Sequence, residues 1–131
     1  VFHPTEPKVI ALLDWELATL GHPVGDFTYT LMGWRLGKDL FRGIADADLP
    51  ALGIPTEDEY IAQYCAATGR DEVQNLEWYL AYNMFRLAAI LQGIAKRAQD
   101  GTAASPHAME QGRRAGPLAE AAWQQVERLA R

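Results

Sequence analysis

The stretch Val9-Ile-Ala-Leu-Leu-Asp14-Trp-Glu16 decides both the fold and the candidate site. Its uninterrupted apolar run into a carboxylate predicts a strand, buried on both faces, that delivers Asp14 to a site at its C-terminal end. If the backbone stays extended, Asp14 and Glu16 project to the same side, because side chains alternate along a strand. Two such carboxylates suit Mg²⁺, which proteins hold with one or two carboxylates, waters and substrate phosphates. An acid in this position is also common as a turn residue or a helix cap.

The residues on either side of this stretch extend the prediction. The prolines of Pro4-Thr5-Glu6-Pro7 predict a turn, so that a short strand ending near Phe2 would form a β-hairpin with the Val9 strand. Gly21-His22-Pro23 predicts a loop across the mouth of the site. His22 would either contact a phosphate or substrate there or simply face solvent. Asp26 then predicts the N-cap of a helix from Phe27 to Trp34.

Composition limits the classes of function. A chain of 131 residues with 49% hydrophobic residues is sufficient for one domain with a core. The formal charge of −5 argues against a nucleic-acid or anionic-membrane surface, since either would favour a basic face. The single cysteine, Cys65, excludes an internal disulfide and favours a reducing cytoplasm. No uninterrupted apolar run reaches the length of about 18 residues that a membrane-spanning helix needs.

The rest of the chain reads as loops and helices. Residues 36–55 are rich in glycine and proline, which predicts a surface loop where substrate selection would reside, with Asp46 and Asp48 in a solvated turn. Thr56-Glu-Asp-Glu59 predicts a capping box that opens a helix ending at Gly69, with Cys65 in the core.

Two further helices are expected after Gly69. The longest, from about Val73 to Gln99, is apolar around nearly its whole circumference and would be the central helix of a bundle. Within it Asn83 would need a hydrogen-bonding partner, and Gly93 would mark the close approach of another element. Ser105 would cap the final helix, which would break at Gly116-Pro117.

These motifs resemble a known family. Val9 to Glu16, with Gly21-His22-Pro23 and Gly25-Asp26-Phe27, resembles the segment that follows the catalytic loop in the aminoglycoside phosphotransferase and choline kinase-like superfamily. The resemblance is closest to the phosphotransferase-like domain associated with acyl-CoA dehydrogenases. In that family the Asp of the Asp-Trp-Glu/Asp motif corresponds to the metal-binding Asp of the protein kinase Asp-Phe-Gly motif, and Asp14 matches it. A second Asp braces the catalytic loop, and Asp26 matches that one.

The resemblance implies a fold and a function. The chain would be the C-terminal part of a protein kinase-like C-lobe, mainly α with a small β-hairpin, taken from an α+β parent. Residues 1–26 would form the hairpin and metal-binding loop, 27–99 the helical core and 105–131 the C-terminal helices. The parent would transfer a phosphoryl group from ATP to a small-molecule hydroxyl, with an acyl-CoA-like substrate as one candidate, and Asp14 and Glu16 would hold Mg²⁺.

The family's His-Gly-Asp...Asn catalytic loop, its glycine-rich loop and its strand lysine are missing from this sequence, so the chain alone is expected to be inactive. Apolar surface left where such segments would pack favours self-association. Two alternatives remain open. The chain would be a helical interaction or regulatory module in which Asp14 is structural, or a carboxylate-metal hydrolase, for which a metal-spaced His/Asp cluster is lacking.

Overall fold

Helices account for all the regular secondary structure of the computed structural model, which describes residues 1–16 and 18–129. The α-helices of this described part are α1 (Pro23–Leu31), α2 (Glu57–Thr68), α3 (Leu76–Gln99), α4 (Ala108–Gly112) and α5 (Ala115–Leu129). A short 3-10 helix, Met32–Trp34, continues α1. The prediction of a mainly helical fold is therefore confirmed.

Helix α3 is the centre of the structure, as its apolar pattern predicted. It packs against α1, α4 and α5. Its buried side chains include Leu80, Met84, Leu87 and Leu91, and α5 contributes Leu118. Burial of each such side chain contributes about 1.5–3 kcal/mol to the hydrophobic stabilisation of the folded chain.

The apolar circumference of α3 is covered on one side only. Trp78, Tyr82, Phe85 and Ile90 remain between 42% and 50% exposed. The first three are spaced by four and three residues, which places them on one face of the helix. This face has no partner within the described part of the chain.

Asn83 has the hydrogen-bonding partner that its place in the apolar pattern requires, and that partner is helix α1. Its fully buried amide donates to the Gly25 carbonyl oxygen at 2.8 Å and to Thr28 Oγ1 at 2.9 Å. Thr28 Oγ1 in turn donates to the Val24 carbonyl oxygen at 2.7 Å. Since an unpaired buried amide costs about 1–3 kcal/mol, these bonds fix α1 against α3.

Helix α2 begins and ends where the sequence predicted. Thr56 Oγ1 accepts from the Glu59 amide at 3.3 Å, and the Glu59 carboxylate accepts from the Thr56 amide at 2.8 Å. Gly69 ends the helix with a left-handed backbone, φ +67°. Cys65 is buried, so its assignment to the core is also confirmed.

The start of α1 differs from the prediction. The helix begins at Pro23, and His22 rather than Asp26 is its N-cap. Proline suits the first helical position because its φ is already helical and its missing N–H would have no partner there. Asp26 consequently lies in the first turn, where a carboxylate interacts favourably with the helix dipole.

The predicted hairpin is not confirmed. Phe2 and Val9 form a single antiparallel bridge, with the His3 amide donating to the Lys8 carbonyl oxygen at 2.8 Å, and no strand forms within the described residues. The prediction that Val9 to Leu13 is buried on both faces is wrong: Val9, Ile10, Leu12 and Leu13 are 52% to 72% exposed. No described element packs over this segment, so its apolar pattern has nothing to bury it against.

The C-terminal helices also correct the sequence interpretation. The break lies between Gly112 and Ala115, and Gly116 and Pro117 belong to the first turn of α5. Helix α4 begins only at Ala108, and His107 rather than Ser105 precedes it as the N-cap.

The close approach expected at Gly93 is absent, because the only described atom near a Cβ built there is Arg97 Nη1 at 3.7 Å. It occurs at Gly112 instead, where a Cβ would lie 2.7 Å from Ala95 Cα.

A charged cluster, formed by Arg35, Glu57, Glu77 and Gln125, joins parts of the chain that are distant in sequence. Arg35 Nε lies 2.6 Å from Glu57 Oε2, and Arg35 Nη2 lies 3.1 Å from Glu77 Oε1. Arg35 Nη1 reaches the buried Gln125 Oε1 at 3.4 Å. Burial alone would lower the pKa of Arg35, but the two carboxylates outweigh it and raise that pKa. The guanidinium therefore stays charged and links the 3-10 helix to α2, α3 and α5.

Candidate functional site

Asp14 lies in an irregular segment just before the turn at Glu16, and it is exposed to solvent. Its φ is +71°, the left-handed region that a residue other than glycine seldom adopts. The Trp15 indole Nε1 donates to the Leu12 carbonyl oxygen at 2.8 Å and links the residues on either side of Asp14. Non-glycine residues held in this conformation cluster at functional sites, because the surrounding structure must offset the strain.

The extended backbone expected between Asp14 and Glu16 is not observed. The positive φ at Asp14 turns the chain, and Glu16 lies in the turn that follows, so strand alternation does not align the two carboxylates. Both are exposed, and neither forms an ion pair with another residue of the described part.

Asp14 and Glu16 meet part of what a hard cation such as Mg²⁺ needs from a protein. No group of three or more His, Cys, Asp or Glu side chains in residues 1–16 and 18–129 is arranged to hold a metal ion. Mg²⁺ does not require such a cage, since one or two carboxylates together with phosphates and waters are enough. A solvent-accessible, unpaired Asp14 meets that requirement on the protein side.

His22 borders a polar cavity of about 460 Å³. Its ring stacks on Tyr79, with centroids 5.2 Å apart and planes inclined by 13°. The cavity lies where the start of α1 meets the end of α2 and the start of α3, and its lining includes Arg70 and Asn75. His22 is therefore partly held by an aromatic neighbour rather than being a free loop residue.

Asp26 lies four residues after His22, on the first turn of α1. Its side chain is exposed and has no hydrogen bond to another side chain or amide in the described part of the structure. The carboxylate is thus free to accept a bond from a neighbouring segment, as a bracing residue would.

The loop of residues 36–55 lies at the surface for most of its length, as predicted, but its first residue, Leu36, is fully buried. Asp46 Oδ2 accepts from the Lys38 amide at 3.0 Å, and Asp48 Oδ1 accepts from the Ala51 amide at 3.3 Å. Each carboxylate thus accepts a bond from a backbone amide of the loop, as a turn residue does. Trp34 Nε1 donates to the Pro55 carbonyl oxygen at 2.9 Å and holds the end of the loop against the 3-10 helix.

Apolar side chains are exposed around Asp14. Phe2 is 76% exposed, Leu13 72% and Trp15 65%, and Leu20 has no cover at all. Together with the uncovered face of α3 they form the kind of apolar surface that the sequence interpretation expected. Self-association through it stays a prediction.

Sequence reasoning missed several residues that the tertiary structure brings to these sites. Tyr79 belongs to the apolar pattern of α3, and that pattern gives no sign that its ring stacks on His22. Arg35 had no assigned role, although its position just after an amphipathic helix was the one available signal.

Comparisons with known proteins place the chain among relatives. No family model matches it. Acyl-CoA dehydrogenase family member 10 of Mus musculus is 42% identical over 125 residues, which are 94% of this chain and 12% of that protein. Acyl-CoA dehydrogenase family member 11 of Homo sapiens is 34% identical over 121 residues, which are 92% of this chain and 16% of that protein. The chain thus spans under a fifth of the length of these curated relatives.

A solved structure is also similar to this chain. A Ralstonia eutropha protein, provisionally described as an aminoglycoside phosphotransferase, superposes with a TM-score of 0.89 at 54% identity, over 97% of this chain and 39% of that one. Within the described residues, no helix combines the length and apolar character needed to cross a bilayer. The resemblance indicated by the motifs around Asp14 and Asp26 is therefore confirmed: over its length the chain is similar to this phosphotransferase-like protein and to acyl-CoA dehydrogenase family members 10 and 11.

Proposed function

We propose that this chain is the C-terminal part of the C-lobe of a kinase-like enzyme that transfers the γ-phosphoryl group of ATP to a small-molecule hydroxyl. The observation that carries the proposal is Asp14. It is an exposed carboxylate on a residue with a left-handed backbone, within a chain that is 54% identical to a phosphotransferase-like protein. A purely structural acid would be expected to have a protein partner, and Asp14 forms no ion pair in the described part of the chain.

Each acid has a distinct role in this proposal. Asp14 would hold Mg²⁺ beside the β- and γ-phosphates, and Glu16 would line the same mouth. Asp26 would brace the catalytic loop from the first turn of α1, and His22 would lie on the substrate side. When bound, Mg²⁺ neutralises the charge that develops on the transferred phosphoryl group.

The same proposal includes the setting of the reaction. ATP and Mg²⁺ would be the cofactors, the acceptor would be a small molecule, for example an acyl-CoA-like one, and the compartment would be the cytoplasm. Most of the acceleration in phosphoryl transfer comes from positioning and charge neutralisation, so residues outside this chain would be needed for turnover. A helical interaction module without catalysis is not favoured by the likeness to a phosphotransferase-like protein.

The test is Asp14→Asn in the longer parent protein, because asparagine keeps the shape and tolerates a left-handed backbone while removing the charge. ATP-dependent phosphorylation should fall by at least about 100-fold, with an unchanged denaturation midpoint. Asp39→Asn, at an exposed acid in the loop after Arg35, is the matched control and should leave the rate unchanged.

Normal phosphorylation by the Asp14→Asn parent would contradict the proposal. ATP turnover by the 131-residue chain alone would contradict the expectation that this part is inactive by itself.

A further inference from the structure

Two adjacent cavities lie away from Asp14, between α1, the loop after Arg35 and the C-terminal helices. The first has a volume of about 300 Å³ and a mainly apolar lining that includes Tyr29, Met32, Trp34, Phe41 and Ile44. The second has a volume of about 240 Å³ and is lined by Leu91, Gln111 and Arg114 together with Phe41 and Arg42. Phe41 and Arg42 line both, so the two cavities adjoin.

The charges around these cavities have one sign. No acidic side chain among the described residues lines either cavity, although the chain carries a net charge of −5. Arg42 lines both, its guanidinium lies 5.5 Å from the centroid of the Phe41 ring, and no described carboxylate lies within 4.0 Å of it. Arg114 lines the second cavity, and its one acidic neighbour, the largely exposed Glu110, lies 3.8 Å away.

A third arginine adds to this positive region. The Arg86 guanidinium lies 5.3 Å from the centroid of the Tyr29 ring, which lines the first cavity. Guanidinium groups over aromatic faces keep their planar donors available, and such donors bind carboxylates and phosphates. An apolar chamber beside the guanidinium groups of Arg42 and Arg114 is the arrangement that binds a ligand with one apolar and one anionic end.

We propose that the two cavities together bind an amphipathic small-molecule anion, with its apolar body between Tyr29, Trp34 and Phe41 and its anionic group beside Arg42 and Arg114. An apolar ligand alone would leave the arginines unused. A compact inorganic anion would leave the aromatic chamber empty. This site is independent of the phosphotransferase proposal, because binding is measured on the chain itself without ATP.

The Trp34 indole is a built-in reporter of this site. Its Nε1 proton is fixed by the Pro55 carbonyl oxygen, and its ring lines the first cavity. The indoles of Trp15, Trp78 and Trp123 are 50% to 65% exposed and serve as internal references for non-specific adsorption. Two-dimensional ¹H–¹⁵N NMR of the 131-residue chain resolves such indole signals.

The ligands for the titration share one apolar body. They are 2-naphthoate, 2-naphthyl phosphate and the neutral 2-naphthylmethanol. The anions should shift the Trp34 signal saturably while the other indole signals stay in place. The neutral analogue should bind about tenfold more weakly, since it lacks the charge-assisted bonds. The tighter of the two anions identifies the anionic group that the site prefers.

Two variants test the two halves of the site. Arg42→Asn should weaken binding of the tighter anion about tenfold, and asparagine suits the positive φ of Arg42, +49°. Gly33→Leu should fill the first cavity, which Gly33 lines, and abolish saturable binding of all three ligands. Arg70→Gln removes the same charge from the His22 cavity and should leave binding unchanged.

The proposal is overturned if all four indole signals shift together without saturation. It is also overturned if the neutral analogue binds as tightly as both anions, or if Arg42→Asn and Arg70→Gln have equal effects. Before each titration, the spectrum of the unliganded variant is compared with that of the parent chain. An unchanged pattern of signals shows that the variant is folded.

Discussion

Gly112 is a position where one added methyl group should clearly destabilise this fold. Helix α4 crosses α3 there, and a Cβ on Gly112 would lie 2.7 Å from Ala95 Cα and 3.0 Å from Ala95 N. Backbone atoms cannot rotate out of the way, so the two helices must separate. Overpacking of this kind costs about 1–3 kcal/mol. Gly112 is the last residue of α4, so alanine returns less there than the about 0.5–1 kcal/mol of helix propensity that it returns in mid-helix. Gly112→Ala should therefore lower the free energy of unfolding by about 1–2 kcal/mol.

Gly93→Ala is the matched control on the partner helix. The only atom near a Cβ at Gly93 is Arg97 Nη1 at 3.7 Å, which is ordinary contact with the end of a flexible side chain. This substitution should raise the free energy of unfolding by about 0.5–1 kcal/mol.

The assay is urea denaturation followed by far-UV circular dichroism, with equal m-values as the condition for comparison. The two variants should differ by about 1.5–3 kcal/mol, with melting temperatures separated by roughly 5–11 °C in a domain of this size. Equal or higher stability of Gly112→Ala relative to the parent chain would refute the reasoning about the α3–α4 contact.

Two further predictions concern charged groups. Arg35→Met should lower the free energy of unfolding by about 2–3 kcal/mol, because Glu57 and Glu77 lose their shared cation and Gln125 Oε1 loses a donor. The control is Lys96→Met, which removes an exposed ion pair with Asp100. It should change the free energy of unfolding by less than about 0.5 kcal/mol. Similar losses for both variants in urea denaturation would contradict this difference. The Thr56 amide and hydroxyl lower the pKa of Glu59 below its ordinary value of 4.5, so the capping box should stabilise the fold above pH 4.5 and lose that contribution as the pH falls through the lowered pKa. Glu59→Gln should flatten this acid limb in thermal melts across pH, and an unchanged limb would count against the assignment.

The features that sequence reasoning predicted correctly are local. The capping box of Thr56 and Glu59, the end of α2 at Gly69 and the burial of Cys65 each depend on residues within a turn or two. The central position of α3 followed from its apolar pattern, because a helix that is apolar over most of its circumference packs against several others. That Asp14 is a site residue stays a prediction, because the apolar run before it is not the buried strand expected there, although the motif around it agrees with the likeness to a phosphotransferase-like protein.

The failures have a common physical cause. Val9 to Leu13 reads as a buried strand, but burial requires a covering element, and none of the described residues supplies one. Gly93 and Gly112 look alike in sequence, and only the path of α4 across α3 distinguishes them. The start of α1 was misplaced because proline at the first helical position outweighed the capping tendency of Asp26.

By itself the sequence determined the helical class, the limits of α2 and the family resemblance around Asp14, since these depend on short-range bonding and on the order of residues. The tertiary structure alone decided which groups meet across long separations. Arg35 pairs with Glu57 and Glu77, 22 and 42 positions away, and it bonds to Gln125, 90 positions away. Such contacts arise from the packing of whole helices, and that packing also creates the cavities beside Arg42 and Arg114. The order of residues in a sequence does not give the distance in space between residues so far apart. That distance is known only from the folded chain.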